Sequence, residues 1–370
     1  MTYSENDSSG RVFSGILHAY AAFDWGEEVN FESARQVVAA ELLALPRRTR
    51  TPTSIAYQAP PLRFGIMPIS LTLPGVGQIT VPADVTLFDF GAVSVAMHIP
   101  FQLSAAALTR LAGSLWDKTL CVLPARLAVE PLFQRLQSAI VNPQWMDLSE
   151  EYFVFQILPK EGDPAPEQLL ADHAGWLAGL VRLEAEPLSS GEIAEALRLH
   201  LSYSPSDLLV ADWAAAVALD RNCDEILETI AFANLQLLEF QHIDQRLDTR
   251  LKTAYGLIHQ LARSWLPIWQ THTRPLRDLG ELNVEVNGML ERTNSALTLV
   301  GDPYLARVYH LVSARFHLEE WGANIRRSIA VLQEIYEVVA NQAATHRTQV
   351  LEVTVIVLIL VEIVLAIWRH

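Results

Sequence analysis

Along the second half of the chain, apolar side chains recur by four and three. Ile226, Ile230, Ala233, Leu237, Phe240, Asp244, Leu247, Leu251, Ala254, Ile258, Leu261 and Trp265 keep that step without a slip. The spacing predicts one long helix, opened by Asn222 or Asp224, with a heptad seam interrupted only by Asp244. A polar group at a seam position lowers stability but fixes register or partner number. Ile230, Leu237, Asp244, Leu251 and Ile258 are therefore the expected oligomer seam, to be met by a helix of this chain or of a second copy. The segment 279–300 is one candidate partner helix. Asp302-Pro303 opens another helical region, with Asp as cap and Pro at the first helical position. In it Ile325, Ile329, Leu332, Tyr336, Val339 and Ala343 repeat the step.

Nearer the start the period falls to two. Six prolines between residues 52 and 82 break the chain into pieces too short for helices. "DVTLFDFGAVSVAMHI", 84–99, reads as strand, turn or bulge, strand, and "EYFVFQIL", 151–158, as another strand. "FQLSAAALTRLAGSLW" and "EQLLADHAGWLAGLVRL" read as helices. The expected fold class is α+β. Residues 1–49 form an N-terminal segment with one helix, "NFESARQVVAAELLAL", capped by Asn30. Residues 50–185 form an α+β domain with a mainly antiparallel sheet. After residue 185 strand signals stop. Ser189 to Glu192 resembles a capping box, "SPSDLLVADWAAAVAL" gives mixed signals, and 186–348 is expected to be a helical, coiled-coil domain.

The last segment, 349–370, has no polar face. Fourteen of the nineteen residues from Val350 to Trp368 are Val, Ile or Leu. As a helix they would reach roughly 28 Å at ~1.5 Å per residue, close to the ~30 Å hydrocarbon core of a bilayer. Their insertion is worth about −4 to −8 kcal/mol against roughly +3 for one central carboxylate. The expectation is a C-terminal membrane anchor. A buried helix of a water-soluble domain is the competing reading. Glu352 lies at the entry of the stretch and Glu362 inside it, with Trp368 at the far interface. Glu362 either packs against a neighbouring helix in an assembly or belongs to an ion pathway. The packing role is preferred, because one span cannot line a pore.

Composition narrows the partners. A formal charge of −15 argues against nucleic acid and against electrostatic docking on anionic lipid. Two distant cysteines, Cys121 and Cys223, suit reduced thiols, and the start "MTYSENDSSGRVFSG" shows neither a secretory signal nor a transit peptide. The bulk of the chain is expected in the cytoplasm.

Chemistry is sparse. Glu239-Phe240-Gln241-His242 has the Glu-x-x-His spacing of di-metal bundles, but no second copy accompanies it, so a solvated flank is expected. "HLEEW" at 317–321, and His310 with His317, read as exposed helix faces. "FDFG", 88–91, lacks every other kinase motif, "LPGVGQ" is too poor in glycine for a phosphate loop, and no Gly-x-Ser-x-Gly elbow occurs. No catalytic, cofactor-binding or metal-binding set is assigned.

Four stretches resemble the required-for-meiotic-nuclear-division family: "LFDFGAVSV" at 87–95, "IAFANLQLLEFQHIDQRLD" at 230–248, "GDPYLARVYHLVSARFHLEEW" at 301–321 and "EIYEVVANQAATHRTQVLEVTVIVLILVEIV" at 334–364. The resemblance implies an α+β domain, a helical coiled-coil region and a C-terminal span, in a bacterial-type member. Where some relatives carry an aromatic-Gly pair, this chain has Ala96-Met97-His98. The expected function is a tail-anchored membrane scaffold, oligomeric through its helical stalk and span. The alternatives are a ligand-binding or enzymatic head near "FDFG" and "EYFVF", and an ion pathway using Glu362.

Overall fold

The computed structural model describes residues 11–39, 56–57, 60–160, 164–263, 297–298 and 303–368. Twelve strands occur among them: β1 (Val12–Asp24), β2 (Glu28–Val29), β3 (Ala56–Tyr57), β4 (Leu62–Leu73), β5 (Gly77–Leu87), β6 (Ala92–Ser104), β7 (Ile140–Val141), β8 (Ser149–Ile157), β9 (His200–Leu201), β10 (Leu208–Ala211), β11 (Ala215–Leu219) and β12 (Leu297–Thr298). The helices are α1 (Phe31–Val38), α2 (Ala105–Ser114), α3 (Val122–Leu136), α4 (Pro166–Asp172), α5 (Ala174–Arg182), α6 (Ser190–Ala196), α7 (Asp224–Arg263), α8 (Pro303–Arg315) and α9 (Leu318–Trp368). The chain divides into two compact units, Met1–Glu239 with Arg292–Glu319 and Phe240–Glu291 with Glu320–His370.

The first unit is α+β, around an eight-stranded sheet of order β4-β5-β6-β1-β8-β11-β10-β9. Every pairing in it is antiparallel except β8 with β11. Because side chains alternate along a strand, β1 divides cleanly. Leu17, Ala19, Ala21 and Phe23 enter a large apolar core with α2, α3 and α5. His18, Tyr20 and Ala22 face the other way. There the first half of α7 lies on the sheet, with Phe232, Leu235 and Leu238 packed around Ala22, Phe88, Phe90 and Ala92.

Several local signals act as the sequence predicts. Asn30 caps α1 by accepting from Ser33 N at 3.0 Å, and Ser189 caps α6 through Glu192 N. The "FDFG" turn joins β5 to β6. Its Gly91 has φ +91°, and a Cβ there would stand 1.8 Å from the Gly26 carbonyl oxygen, so no side chain fits.

Other expectations are corrected. Strands do not stop at residue 185: β10 and β11 form a buried hairpin in the main sheet. Its alanines, harmless to a helix, fill a closely packed strand layer here. The central strand β1 carries no expectation in the sequence reading at all. The first four residues of the segment read as helix α2 belong to β6, and Ser104 caps the helix instead. Leu297–Thr298 is strand, not helix. The seam residues Ile226, Ile230, Ala233, Phe240, Leu247 and Ala254 are buried, but α7 also buries residues that the seam pattern leaves out. Off-seam Phe232, Asn234, Leu235, Gln236 and Leu238 are buried, whereas the seam residue Leu237 is half-buried. The larger apolar side chains off the seam win the sheet contact. Glu239 and His242 are 1% and 5% exposed, so this pair is no solvated flank.

In the second unit, Phe240, Ile243, Leu247 and Ala254 of α7 and Ile325, Ile329, Leu332 and Ile335 of α9 are buried. Among the described residues no helix is long and apolar enough to cross a membrane. Nothing is described of the side chains of Ile258, Leu261, Tyr336, Val339, Ala343 and Glu352, and Trp265 lies outside the described residues.

Arg315, the last residue of α8, fastens the far end of the sheet. It is 7% exposed, donates to the carbonyls of Ala211, Glu195 and Ala196, and stands 3.4 Å from Asp212 Oδ1. Asp212 is also bonded by Arg182 Nε at 2.9 Å, and its carbonyl accepts from the Tyr152 hydroxyl at 2.8 Å. A carboxylate 1% exposed is tolerable only with such pairing.

Candidate functional site

A cavity of about 260 Å³ opens in the first unit between the polar face of the sheet and the start of α7. Strands β1, β4, β5 and β6 supply His18, Tyr20, Arg63, Asp84, Thr86, Ser94 and His98, and the turn after β5 supplies Phe88. Helix α7 supplies Asp224, Leu227, Glu228 and Phe232. Register explains the convergence. His18 is directly opposite His98, Tyr20 opposite Ala96, and Asp84 opposite Ala96 from the other side.

A hydrogen-bonded chain runs across this floor. Gln156 Nε2 donates to the Asp220 carbonyl at 3.0 Å, which leaves Gln156 Oε1 toward His18 Nε2, also at 3.0 Å. His18 Nε2 must then carry a proton. His18 Nδ1 and His98 Nδ1 are 2.9 Å apart, and His98 Nε2 meets Asp84 Oδ1 at 2.7 Å. Asp84 Oδ2 accepts from Arg63 Nε at 2.7 Å. Assigned from this network, the two rings hold three N–H protons and one lone pair, so together they carry one positive charge beside Asp84.

Burial pushes His18 down to about 4, against the opposing hydrogen bond to Gln156, so this ring is held neutral. Burial alone would raise the Asp84 carboxyl, but hydrogen bonds from His98 and Arg63 hold it below its ordinary value. Burial, reinforced by the charge of Asp84, raises Tyr20 well above 10 and keeps its phenol protonated.

Tyr20 and Ser94 are each 5% exposed, and both line the cavity. The thiols offer nothing comparable: Cys121 and Cys223 are free, buried, and pushed up to about 12 by desolvation.

The sequence-predicted site residues lie elsewhere. Ile230 is fully buried and Leu237, Asp244 and Leu251 are half-buried on α7, outside the cavity lining. Burial, with Asp248 adding to it, raises the Asp244 carboxyl. Glu362 and Trp368 are exposed on α9. His18, Tyr20, Arg63, Asp84 and His98 went unremarked as a group because four strands contribute them. Their one signal is polar residues at period-two positions: His18 and Tyr20, Asp84 and Thr86, Ser94 and His98. Of the alternatives weighed, the head near "FDFG" lies where the cavity is, since Phe88 forms part of its wall. The Ala96-Met97-His98 departure falls on the same wall.

A family model described as the N-terminal domain of uncharacterized protein MJ0711 matches residues 14–225. The uncharacterized protein MJ0711 of Methanocaldococcus jannaschii is 25% identical over 204 residues, 54% of this chain. The chain spans 62% of that protein's length. No solved structure matches.

Proposed function

The chain belongs to the family of the MJ0711 N-terminal domain, and from that premise we propose that its α+β head binds a small polar molecule. The carrying observation is the cavity itself, whose wall sets Arg63, Tyr20 and Ser94 beside the hydrogen-bonded row of His18, His98 and Asp84. Tyr20→Phe in the full chain removes one polar group of that wall and should leave the melting temperature of the ligand-free protein unchanged. The same change should remove any small molecule seen by native mass spectrometry on the freshly purified protein. A variant that loses stability and keeps its bound molecule would defeat this reading.

A second reading concerns the tail. We infer an oligomeric scaffold held at a membrane through α9, with the head on the cytoplasmic side and α7 supplying an assembly seam. Its support is the run of large apolar side chains, Val355 to Leu365, that α9 leaves exposed around Glu362. The resemblance to the required-for-meiotic-nuclear-division family belongs to this reading. Flotation of the full chain with liposomes, compared with a chain ending at Thr345, tests it. Equal partitioning of the two would remove the anchor. A conductance abolished by Glu362→Gln would instead support the ion-pathway alternative.

A further inference from the structure

Beyond the cavity, the same face of the sheet ends in a second polar cluster. Side chains alternate along β1, so Asp24 continues the row of His18, Tyr20 and Ala22. Its cross-strand neighbour Ala92 lies, like Ala22, under Leu235 and Leu238 of α7. Glu239 and His242 extend that helical stripe by one turn, since 235, 238, 239 and 242 share a face at i, i+3, i+4 and i+7. Helix α7 is unbroken from Asp224 to Arg263, so the helix itself sets His242 beside Glu239. One ligating atom from each of Asp24, Glu239 and His242 lies within 4.8 Å of the other two. The Glu-x-x-His spacing thus gains a further carboxylate from a strand, where di-metal bundles use a second helical copy.

All three groups are buried, Asp24 and Glu239 at 1% exposure and His242 at 5%. Asp24 is oriented from behind, because its Oδ1 accepts from Gly26 N at 2.8 Å. Its Oδ2, with Glu239 Oε1 and His242 Nδ1, is a buried atom that makes no hydrogen bond among the described residues. Other interactions hold each of the three residues. Two buried carboxylates at this separation repel one another unless a cation stands between them. A divalent ion balances both, and with imidazole as a neutral third ligand the centre carries no net charge. Donor type narrows the ion. Magnesium and calcium prefer oxygen ligands alone, and copper(I) prefers thiolate, which this cluster lacks. A mixed set of nitrogen and oxygen suits zinc or ferrous iron. Three protein ligands leave a coordination position open, as in catalytic rather than structural zinc sites.

We propose that Asp24, Glu239 and His242 hold a single divalent transition-metal ion, zinc or ferrous iron, through two carboxylates and one imidazole. None of the three lines the cavity, so this site stands or falls separately from the binding reading given above. The test uses the full chain, stripped of metal by a chelator and titrated with zinc and, in the absence of oxygen, with ferrous iron. Magnesium and calcium are titrated in parallel. Zinc or iron should bind in equimolar amount and raise the melting temperature, whereas magnesium and calcium should bind roughly tenfold more weakly or worse. Asp24→Asn, Glu239→Gln and His242→Gln should each weaken zinc or iron binding by roughly a hundredfold or more, since loss of an outer partner alone costs ~10–100-fold. A further measurement needs no substitution. Cobalt(II) added to the unmodified chain should give visible absorption bands that equimolar zinc abolishes. Failure of zinc and iron to bind saturably would overturn the site, as would binding that survives unchanged in the folded variants. Where a variant does not fold, the absence of zinc-displaceable cobalt bands in the unmodified chain would overturn it as well.

Discussion

Strand β1 sends Leu17, Ala19, Ala21 and Phe23 to one face of the sheet and His18, Tyr20 and Ala22 to the other. The first face is closed by three helices over a continuous apolar core. The second is covered by half of one helix, over aromatic rings at one end and a hydrogen-bonded polar floor at the other. Burial is nearly as complete on both faces, so burial alone does not distinguish them. What differs is the chemistry of the buried groups. The first face is packed with apolar side chains, whereas the second holds a hydrogen-bonded row of His18, His98 and Asp84 with a cavity beside it.

The contrast can be broken in order of expected effect. Phe155→Ala empties a fully buried position of the apolar core and should cost about 3–5 kcal/mol in urea unfolding, with no change in how the cavity binds. Arg315→Met should cost about 3–4 kcal/mol, because it removes a buried cation from beside Asp212. A loss below about 1 kcal/mol would mean that Arg182 compensates Asp212 alone.

The polar face should show itself through pH. His18 titrates near 6.5 when unfolded and about 4 in the fold, so the unfolded chain binds more protons between those values. Stability is then full above about 6.5 and falls as pH drops toward 4, by up to about 3 kcal/mol. His18→Gln should flatten that part of the profile. An unchanged slope would place the titration elsewhere. The smallest effect belongs to α7: Asp244→Leu should stabilise by less than about 1 kcal/mol, since that carboxyl is only half-buried.

Much of the local structure was legible. The Asn30 and Ser189 caps, the "FDFG" turn and the strand around Phe153 follow from residue chemistry within a few positions of each other. The central strand was not. "VFSGILHAYAAFD" mixes three alanines and a glycine with polar residues, and its strand character depends on β6 and β8 pairing along both edges. The β10–β11 hairpin hid for the same reason. On α7 the strict four-three spacing was real, but spacing says nothing of size. Phe232 and Leu238 decided the packing. The cavity was the least visible feature, because His18 and Gln156 lie 138 residues apart and only register brings them together.

Arg315 has a practical consequence for dissecting this protein. The family match ends at residue 225, yet Asp212 keeps one of its cations at residue 315, and the cavity wall continues to Phe232. A fragment cut at the homology boundary would expose the hairpin's charged anchor and uncover the polar floor. During synthesis, likewise, the sheet stays without its final brace until α8 has left the ribosome. An autonomous head therefore has to be assembled from two stretches, the first through Glu239 and the second through Glu319.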